Sequence, residues 1–174
     1  MLISDEYRAE QAHLHATRDD YGVASIAYAP SVSALINTLE IDSMIDYGCG
    51  KGRLVEALRP SRSIAIQLYD PALPGYSDLP DPAELVACID VLEHIEPDLL
   101  LGVLNHIENL AQNFVFLTIH TGPAVKTLRD GRNAHLTQQP ASWWLPLLCA
   151  RWEMLECKKV GPGFIFIGGA SGYR

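Results

Sequence analysis

The stretch IDYGCGKGRL, from Ile45 to Leu54, decides the fold because it joins an apolar strand to a helix through a glycine-rich turn. Asp46 within it is followed by a glycine at every second position: Gly48, Gly50 and Gly52. Glycines in such a turn let the backbone bend sharply and approach a ligand closely, with the start of the helix pointing at that ligand. The stretch therefore predicts a ligand-binding loop between a strand and a helix.

Two classes of ligand are bound by loops of this kind. A dinucleotide fold uses G-x-G-x-x-G, and the position of its third glycine is Arg53 here. A carboxylate at Asp46 would repel a pyrophosphate but suits a ligand that carries an ammonium group. Asp70, at the end of the next predicted strand, is placed to accept hydrogen bonds from both hydroxyls of a ribose. The pattern favours a nucleoside with an amino-acid tail over a dinucleotide.

Strands and helices alternate on both sides of this loop, which predicts crossover units and a mostly parallel sheet with helices on both faces. The four apolar runs that indicate buried strands are SMIDYGCG, SIAIQLYD, ELVACID and NFVFLTIH. Helices are predicted over GRLVEALR and over residues 95–111. Near the end of the chain, EMLECKKV and GFIFIGGA are separated only by a GPG turn. This spacing predicts an antiparallel hairpin that closes the sheet.

The remaining segments flank this alternating core. A helix is predicted over residues 4–17 with Ser4 as its N-cap, followed by a turn at residues 19–22 and a helix APSVSALINTLE. Residues 122–139 are predicted to form a long loop or a broken helix. Pro140 then begins a short helix, ASWWLPLL, that Pro146 would kink or end.

Composition narrows the class of protein. With 48% hydrophobic and 20% charged residues, the chain of 174 residues is predicted to form one globular domain. A formal net charge of −8 argues against a protein that grips nucleic acid through its phosphates. The sequence contains no run of about 18 apolar residues, so no membrane span is predicted, and the N-terminus lacks the apolar region of a signal peptide. Four cysteines without a C-x-x-C pair indicate a reduced, cytoplasmic protein.

These motifs together resemble the class I S-adenosylmethionine-dependent methyltransferases. The resemblance is carried by Asp46-x-Gly48-x-Gly50-x-Gly52, by Asp70 after the second strand, and by the DVLEH segment at residues 90–94. It implies a Rossmann-like methyltransferase fold, S-adenosylmethionine as the cofactor, and methyl transfer as the activity. It also implies that the glycine loop cradles the methionine part of the cofactor, near Asp46, and that Asp70 takes the ribose. The cofactor-binding set that follows is Asp46, Tyr47, Gly48, Cys49, Gly50, Asp70, Pro71, Asp90 and Val91.

The resemblance sets the expected organisation of the domain. Residues 1–174 form a single methyltransferase domain, in which residues 1–40 supply N-terminal helices that serve as a lid and residues 41–174 form the cofactor-binding core. Family members have a further strand between the ribose acid and the DVLEH segment. Here residues 71–82, PALPGYSDLPDP, carry four prolines and no strand pattern. The third strand of the usual seven is therefore expected to be missing or vestigial, which leaves about six strands, and adenine contacts are expected from Pro71, Ala72 or Leu73.

Asp90, Glu93 and His94 have spacings of three and four residues, which predicts that they share one face at the carboxyl end of a central strand. Three interpretations are open. Asp90 and Glu93 are suited to capping a helix. His94 or Glu93 is suited to act as a general base. The set is also suited to a divalent cation, with His135 as a fourth ligand and His120 as a weaker alternative to it.

A narrower resemblance concerns DVLEHIEP together with the later histidine and the tryptophan-bearing helix. They are similar to the ubiquinone-biosynthesis O-methyltransferases and to the 2′-O-methyltransferases of small-RNA 3′ ends. The resemblance implies a divalent cation that holds the acceptor hydroxyl, with ligands at Asp90, Glu93, His94 and His135, and Asp90 replaces the usual glutamate. A small-molecule acceptor methylated on oxygen is expected. The alternatives are a nucleic-acid end, which the negative charge disfavours, and a cofactor-binding domain without catalysis, which the short chain favours.

Overall fold

The computed structural model describes residues 1–18 and 22–170, which contain a six-stranded sheet of order β2-β1-β3-β4-β6-β5. The strands are β1 (Ser43–Tyr47), β2 (Ala65–Tyr69), β3 (Ala83–Ile89), β4 (Ala111–His120), β5 (Trp152–Val160) and β6 (Gly163–Ala170). Strands β1 to β4 pair in parallel, whereas β6 pairs antiparallel with both β4 and β5. The mostly parallel sheet and its C-terminal antiparallel hairpin are thus confirmed.

Five α-helices accompany the sheet in the described residues: α1 (Asp5–Thr17), α2 (Ala29–Thr38), α3 (Arg53–Ala57), α4 (Leu100–Leu110) and α5 (Ala141–Cys149). The predicted cap of the first helix is present, because the Ser4 side chain accepts a hydrogen bond of 3.1 Å from the Tyr7 backbone N–H. Residues 19–21 of the predicted turn lie outside the described residues. None of these helices is long and apolar enough to cross a membrane.

The sheet is covered on both faces, as the apolar strands predict. On one face, α4 and α5 pack a cluster of buried side chains that includes the fully buried Trp144. On the other face, α2 and α3 pack a second cluster that includes Ile36 and Phe116. The strands are held by cores on both sides, so their carboxyl ends form a fixed edge on which the loops that follow them are built.

The predicted absence of a third strand is confirmed. The chain passes from Asp70 to the start of β3 at Ala83 through turns, and the sheet has no strand in that segment. Prolines lack the N–H that a central strand must donate, so four of them within residues 71–82 exclude a paired strand there. The ribose side of the predicted cofactor site is therefore bordered by turns.

One helix prediction needs correction. The helix expected over residues 95–111 begins only at Leu100 and is preceded by a short 3-10 helix, Leu92–His94. Ile95 has extended backbone (φ −70°, ψ 140°), and Pro97 lacks the N–H that would continue a helix through it. The predicted helix ASWWLPLL is present as α5, which continues past Pro146 to Cys149. Residues 122–139 form an irregular loop, one of the two forms predicted, with a single bridge between Thr127 and Asn133.

Candidate functional site

The glycine loop follows β1 and requires glycine at Gly48 for two reasons. Its φ of +73° lies in the left-handed region that side chains disfavour, and a Cβ there would stand 2.5 Å from Cγ2 of Val91. The Gly48 backbone N–H donates a hydrogen bond of 2.7 Å to the carbonyl of Tyr69, at the end of β2. The loop is thus pressed between the ends of two other elements, which brings its backbone to the edge of the cleft.

Asp46 lies at the base of this loop, and its carboxylate is almost completely buried, with 3% exposure. Within the described residues, its Oδ2 atom has no hydrogen-bond partner. Burial, with a smaller contribution from the nearby Asp70 carboxylate, raises the pKa of Asp46 to about 7. A buried carboxylate with one unsatisfied oxygen is suited to receive a cationic donor such as an ammonium group.

Asp70 stands at the end of β2, as predicted, and its two oxygens are held by the backbone. Oδ2 accepts a hydrogen bond of 3.0 Å from Gly50 N–H, and Oδ1 accepts one of 2.9 Å from Ala72 N–H. A carboxylate oxygen can accept more than one hydrogen bond. The arrangement fixes the orientation of the carboxylate and retains acceptor capacity for two ligand hydroxyls.

Asp90 directly follows β3 and adopts a left-handed backbone conformation with φ +59°. Its N–H donates a hydrogen bond of 3.0 Å to Oγ1 of Thr118, on β4. The 3-10 helix that follows has Val91 at its N-cap and no side-chain capping bond, so the interpretation of Asp90 as a helix cap is wrong. A strained non-glycine residue beside a cleft is typical of functional sites.

Asp90, His94 and His135 come together in space. Each offers one ligand atom, and these atoms all lie within 4.8 Å of one another, across 45 residues of chain. The two imidazole rings meet edge to face with their centroids 4.7 Å apart. Three of the four residues predicted to hold a cation therefore form one compact group of two nitrogens and a carboxylate.

Backbone carbonyls orient both imidazoles of this group. Nδ1 of His94 donates to the carbonyl of Ala134 (2.9 Å), and Nδ1 of His135 donates to the carbonyl of Gly122 (2.7 Å). Because a carbonyl can only accept, each neutral ring carries its proton on Nδ1 and its lone pair on Nε2. Burial is the main cause that lowers the pKa of His94 to about 4. Burial is also the main cause that lowers the pKa of His135. Both rings are therefore neutral at pH 7, the form that binds metals.

Glu93 occupies a different place from the other predicted ligands. Its side chain is completely buried, and Oε1 accepts a hydrogen bond of 2.6 Å from the backbone N–H of His120. Its backbone carbonyl accepts a hydrogen bond of 2.9 Å from Thr137 N–H, in the loop that carries His135. Burial and the neighbouring Asp90 carboxylate raise the pKa of Glu93. Glu93 thus joins the end of β4 and the His135 loop to the 3-10 helix.

Several residues at the site were not found from the sequence. Thr118 holds the backbone of Asp90, and three buried side chains of α1 line the same cleft: Tyr7, Gln11 and His15. His120, considered only as a weaker cation ligand, lies with its ring centroid 4.8 Å from that of His135. A lid from residues 1–40 was expected, but no local pattern indicates which side chains of α1 reach the cleft, because its place depends on contacts with distant segments.

A single cavity of about 410 Å³ unites these parts. Its lining includes the glycine loop with Asp46 and Asp70 at one end, and Asp90, His94 and His135 at the other. The cofactor-binding residues predicted by resemblance, from Tyr47 to Val91, line this same space. The volume of this cavity lies within the range of small-molecule and cofactor sites.

The sequence matches no protein-family model and no curated protein. Solved structures match in fold. An O-methyltransferase family protein from Burkholderia thailandensis superposes with a TM-score of 0.67 at 16% identity, over 99% of this chain and 65% of the other, so this chain spans less than two thirds of that relative. The 1,6-didemethyltoxoflavin-N1-methyltransferase of the same organism, with bound 1,6-didemethyltoxoflavin and S-adenosylhomocysteine, superposes with a TM-score of 0.66 at 15% identity. The superposition covers 95% of this chain and 89% of the other.

A third match is magnesium protoporphyrin IX methyltransferase from Synechocystis PCC 6803 with bound S-adenosylhomocysteine. It superposes with a TM-score of 0.57 at 15% identity, over 85% of this chain and 84% of the other. The chain therefore has the Rossmann-like fold of the class I S-adenosylmethionine-dependent methyltransferases.

Proposed function

We propose that this protein transfers a methyl group from S-adenosylmethionine to an oxygen of a small-molecule acceptor, with a divalent cation that positions the acceptor hydroxyl. The observation that carries this proposal is the single cavity of about 410 Å³ that holds both the glycine loop and the Asp90, His94 and His135 group. The cofactor supplies a methyl group on a cationic sulfur. The protein's task is to align the acceptor oxygen with that methyl group and to remove the proton.

The residues on the cofactor side fit such a ligand. The unsatisfied, buried oxygen of Asp46 suits the ammonium of an amino-acid tail. The carboxylate of Asp70, held rigidly by Gly50 and Ala72, suits two ribose hydroxyls. The close packing of Gly48 against Val91 holds the loop in place beside the cavity that both residues line. Tyr47, Cys49 and Pro71 complete the proposed set.

The residues on the acceptor side fit a cation. Two neutral imidazoles and a carboxylate suit Zn²⁺, Mn²⁺ or Fe²⁺ better than Mg²⁺, which prefers oxygen ligands only. Carbonyls hold both rings, as is usual for histidine ligands. A bound cation lowers the pKa of a hydroxyl that coordinates it. We assign Glu93 to support this group by fixing the backbone of His120 and Thr137.

His94 gives a route for the proton. Since its Nδ1 donates to Ala134, its Nε2 carries the lone pair, and the residue lines the cavity with Asp90 and His135. The methyl group passes from sulfur to the acceptor oxygen, and the hydroxyl proton leaves to a base within hydrogen-bond reach. Without a cation, His94 is the residue we assign to that base.

Helix α1 is proposed as the lid that residues 1–40 were expected to supply. The backbone N–H and the hydroxyl of Ser4 donate hydrogen bonds of 2.9 and 2.7 Å to the carboxylate of Glu96. Further along the helix, Glu10 forms an ion pair of 2.7 Å with Arg129, in the loop that carries His135. Both ties join α1 to the acceptor side of the cavity, so movement of α1 would open that side.

Methyl transfer from isotopically labelled S-adenosylmethionine to a panel of small hydroxylated acceptors tests the activity. We expect transfer with Mn²⁺ or Zn²⁺, reduced transfer after chelation, and loss of cation binding in His94→Ala and His135→Ala. His13→Ala is the matched control, because His13 is an exposed histidine of α1. Equal cation binding by the wild type and both site variants would show that the proposed cation site is wrong. Labelled product formed without a cation would still support methyl transfer, with His94 as the base.

A further inference from the structure

We propose that His15, on the lid helix α1, is a cofactor-binding residue that holds the ribose jointly with Asp70. This inference rests on the proposed function, which supplies the nucleoside cofactor. It adds a contact from outside the methyltransferase core, from a residue to which no motif assigns a role.

His15 lies directly over the glycine loop. Its side chain is buried at 9% exposure, although it belongs to a short N-terminal helix whose neighbouring histidine, His13, is exposed. A Cβ added to Gly50 would stand 2.9 Å from Cε1 of His15. The imidazole therefore packs against the loop backbone at Gly50, where a side chain would exclude it.

The distance between His15 and Asp70 suits a bridging hydroxyl. Nε2 of His15 lies 4.0 Å from Oδ2 of Asp70, which is beyond hydrogen-bond distance. An oxygen about 2.8 Å from both atoms would meet them at an angle of about 90°, which a hydroxyl can satisfy. Such a hydroxyl would donate to the carboxylate oxygen and accept from an Nε2–H of the imidazole.

The imidazole of His15 can both donate and accept a hydrogen bond. Desolvation lowers the pKa of His15, so at neutral pH the ring is neutral and offers one N–H donor and one acceptor nitrogen. The helix is tied to the cofactor side as well, because Arg8 donates a hydrogen bond of 2.8 Å to the carbonyl of Pro71, next to Asp70. The helix thus presents His15 to the carboxylate in a fixed position.

The test is calorimetric titration of S-adenosylmethionine and of methylthioadenosine, which keeps the ribose and adenine but lacks the amino-acid tail. We expect His15→Ala to weaken both ligands by the same factor, about tenfold, since a lost hydrogen bond to a ligand has about this effect. His13→Ala should bind both ligands as the wild type does. His15→Gln, whose Nε2 can replace that of histidine, should recover most of the affinity.

The outcomes separate this inference from the proposed function. Wild-type protein that is folded and binds neither ligand would overturn both. Wild-type binding with an unchanged affinity in His15→Ala would overturn only the role of His15. A loss for S-adenosylmethionine without a loss for methylthioadenosine would place His15 at the amino-acid tail and would also overturn it. If His15→Ala does not fold, His15→Leu in the same titrations replaces it, with the same expected loss.

Discussion

Replacing Gly48 by alanine is expected to destabilise the protein for two separable reasons, a clash and backbone strain. The displacement of the loop that follows is expected to abolish cofactor binding. The new Cβ would stand 2.5 Å from Cγ2 and 3.0 Å from Cγ1 of Val91, so the Val91 side chain or one of the two backbones must shift. The left-handed φ of +73° adds strain that is independent of this clash. Strain contributes about 1 kcal/mol and overpacking about 1–3 kcal/mol more, so the free energy of unfolding should fall by about 2–4 kcal/mol.

Gly131 offers the matched control, since its φ is +89° and, among the described residues, nothing lies within 4 Å of an added Cβ. Gly131→Ala should therefore lose only the strain contribution of about 1 kcal/mol. Urea denaturation measures both losses, and calorimetry measures S-adenosylmethionine binding. We expect the double variant Gly48→Ala, Val91→Ala to recover part of the lost stability, because both Cγ atoms of the clash are gone. Equal destabilisation of Gly48→Ala and Gly131→Ala would refute the reasoning from close approach.

Three further predictions concern burial and pH. Asp46, whose pKa is raised to about 7, binds more protons in the folded than in the unfolded protein between pH 4 and 7. The stability of the ligand-free protein should therefore fall as pH rises through that range. Asp46→Asn should flatten this pH dependence, measured by urea denaturation at several pH values. S-Adenosylmethionine should bind wild-type protein more tightly at pH 8 than at pH 5.5, because its ammonium pairs with ionised Asp46; equal affinities in calorimetry would contradict this pairing. Trp144→Ala should lower stability by about 3–5 kcal/mol in thermal unfolding. Trp143→Ala should lower it by clearly less, because the Trp143 ring is 40% exposed and its edge-to-face contact with Trp144 is the main one lost.

The sheet and the glycine loop could be predicted because their signals are local. Alternation of apolar strands with helices indicates a parallel sheet, and Gly48 with Asp46 before it marks a ligand loop within a few residues. The missing third strand was equally local, since prolines alone exclude it. These features depend on short segments whose physics does not change with the rest of the chain.

The details of the acceptor side could be predicted only in part. A fixed spacing suggested that Asp90, Glu93 and His94 share one face, as they would on an α-helix. The left-handed backbone at Asp90 and the 3-10 turn after it instead turn Glu93 inward, onto the backbone of His120. Asp90 also depends on Thr118 of the neighbouring strand. Neither the local backbone strain nor this cross-strand contact leaves a pattern in the sequence.

The place of α1 could be predicted only coarsely, as part of a lid, because the contacts that set it are long-range. Its position over the cleft depends on the contacts of Ser4 with Glu96 and of Glu10 with Arg129, pairs that are 92 and 119 residues apart in the chain. The amphipathic pattern of a helix indicates which face is buried but not what buries it. The sequence therefore assigns no role to His15 and does not distinguish it from His13.

Calorimetric titration of S-adenosylmethionine into the folded wild-type protein and into Asp70→Ala tests whether this cavity is a cofactor site. We predict one-to-one binding to the wild type and a loss of at least about tenfold in affinity for Asp70→Ala, since the carboxylate is expected to accept both ribose hydroxyls. Absence of binding to wild-type protein whose fold is verified by circular dichroism, or an unchanged affinity in Asp70→Ala, would contradict the proposed cofactor site.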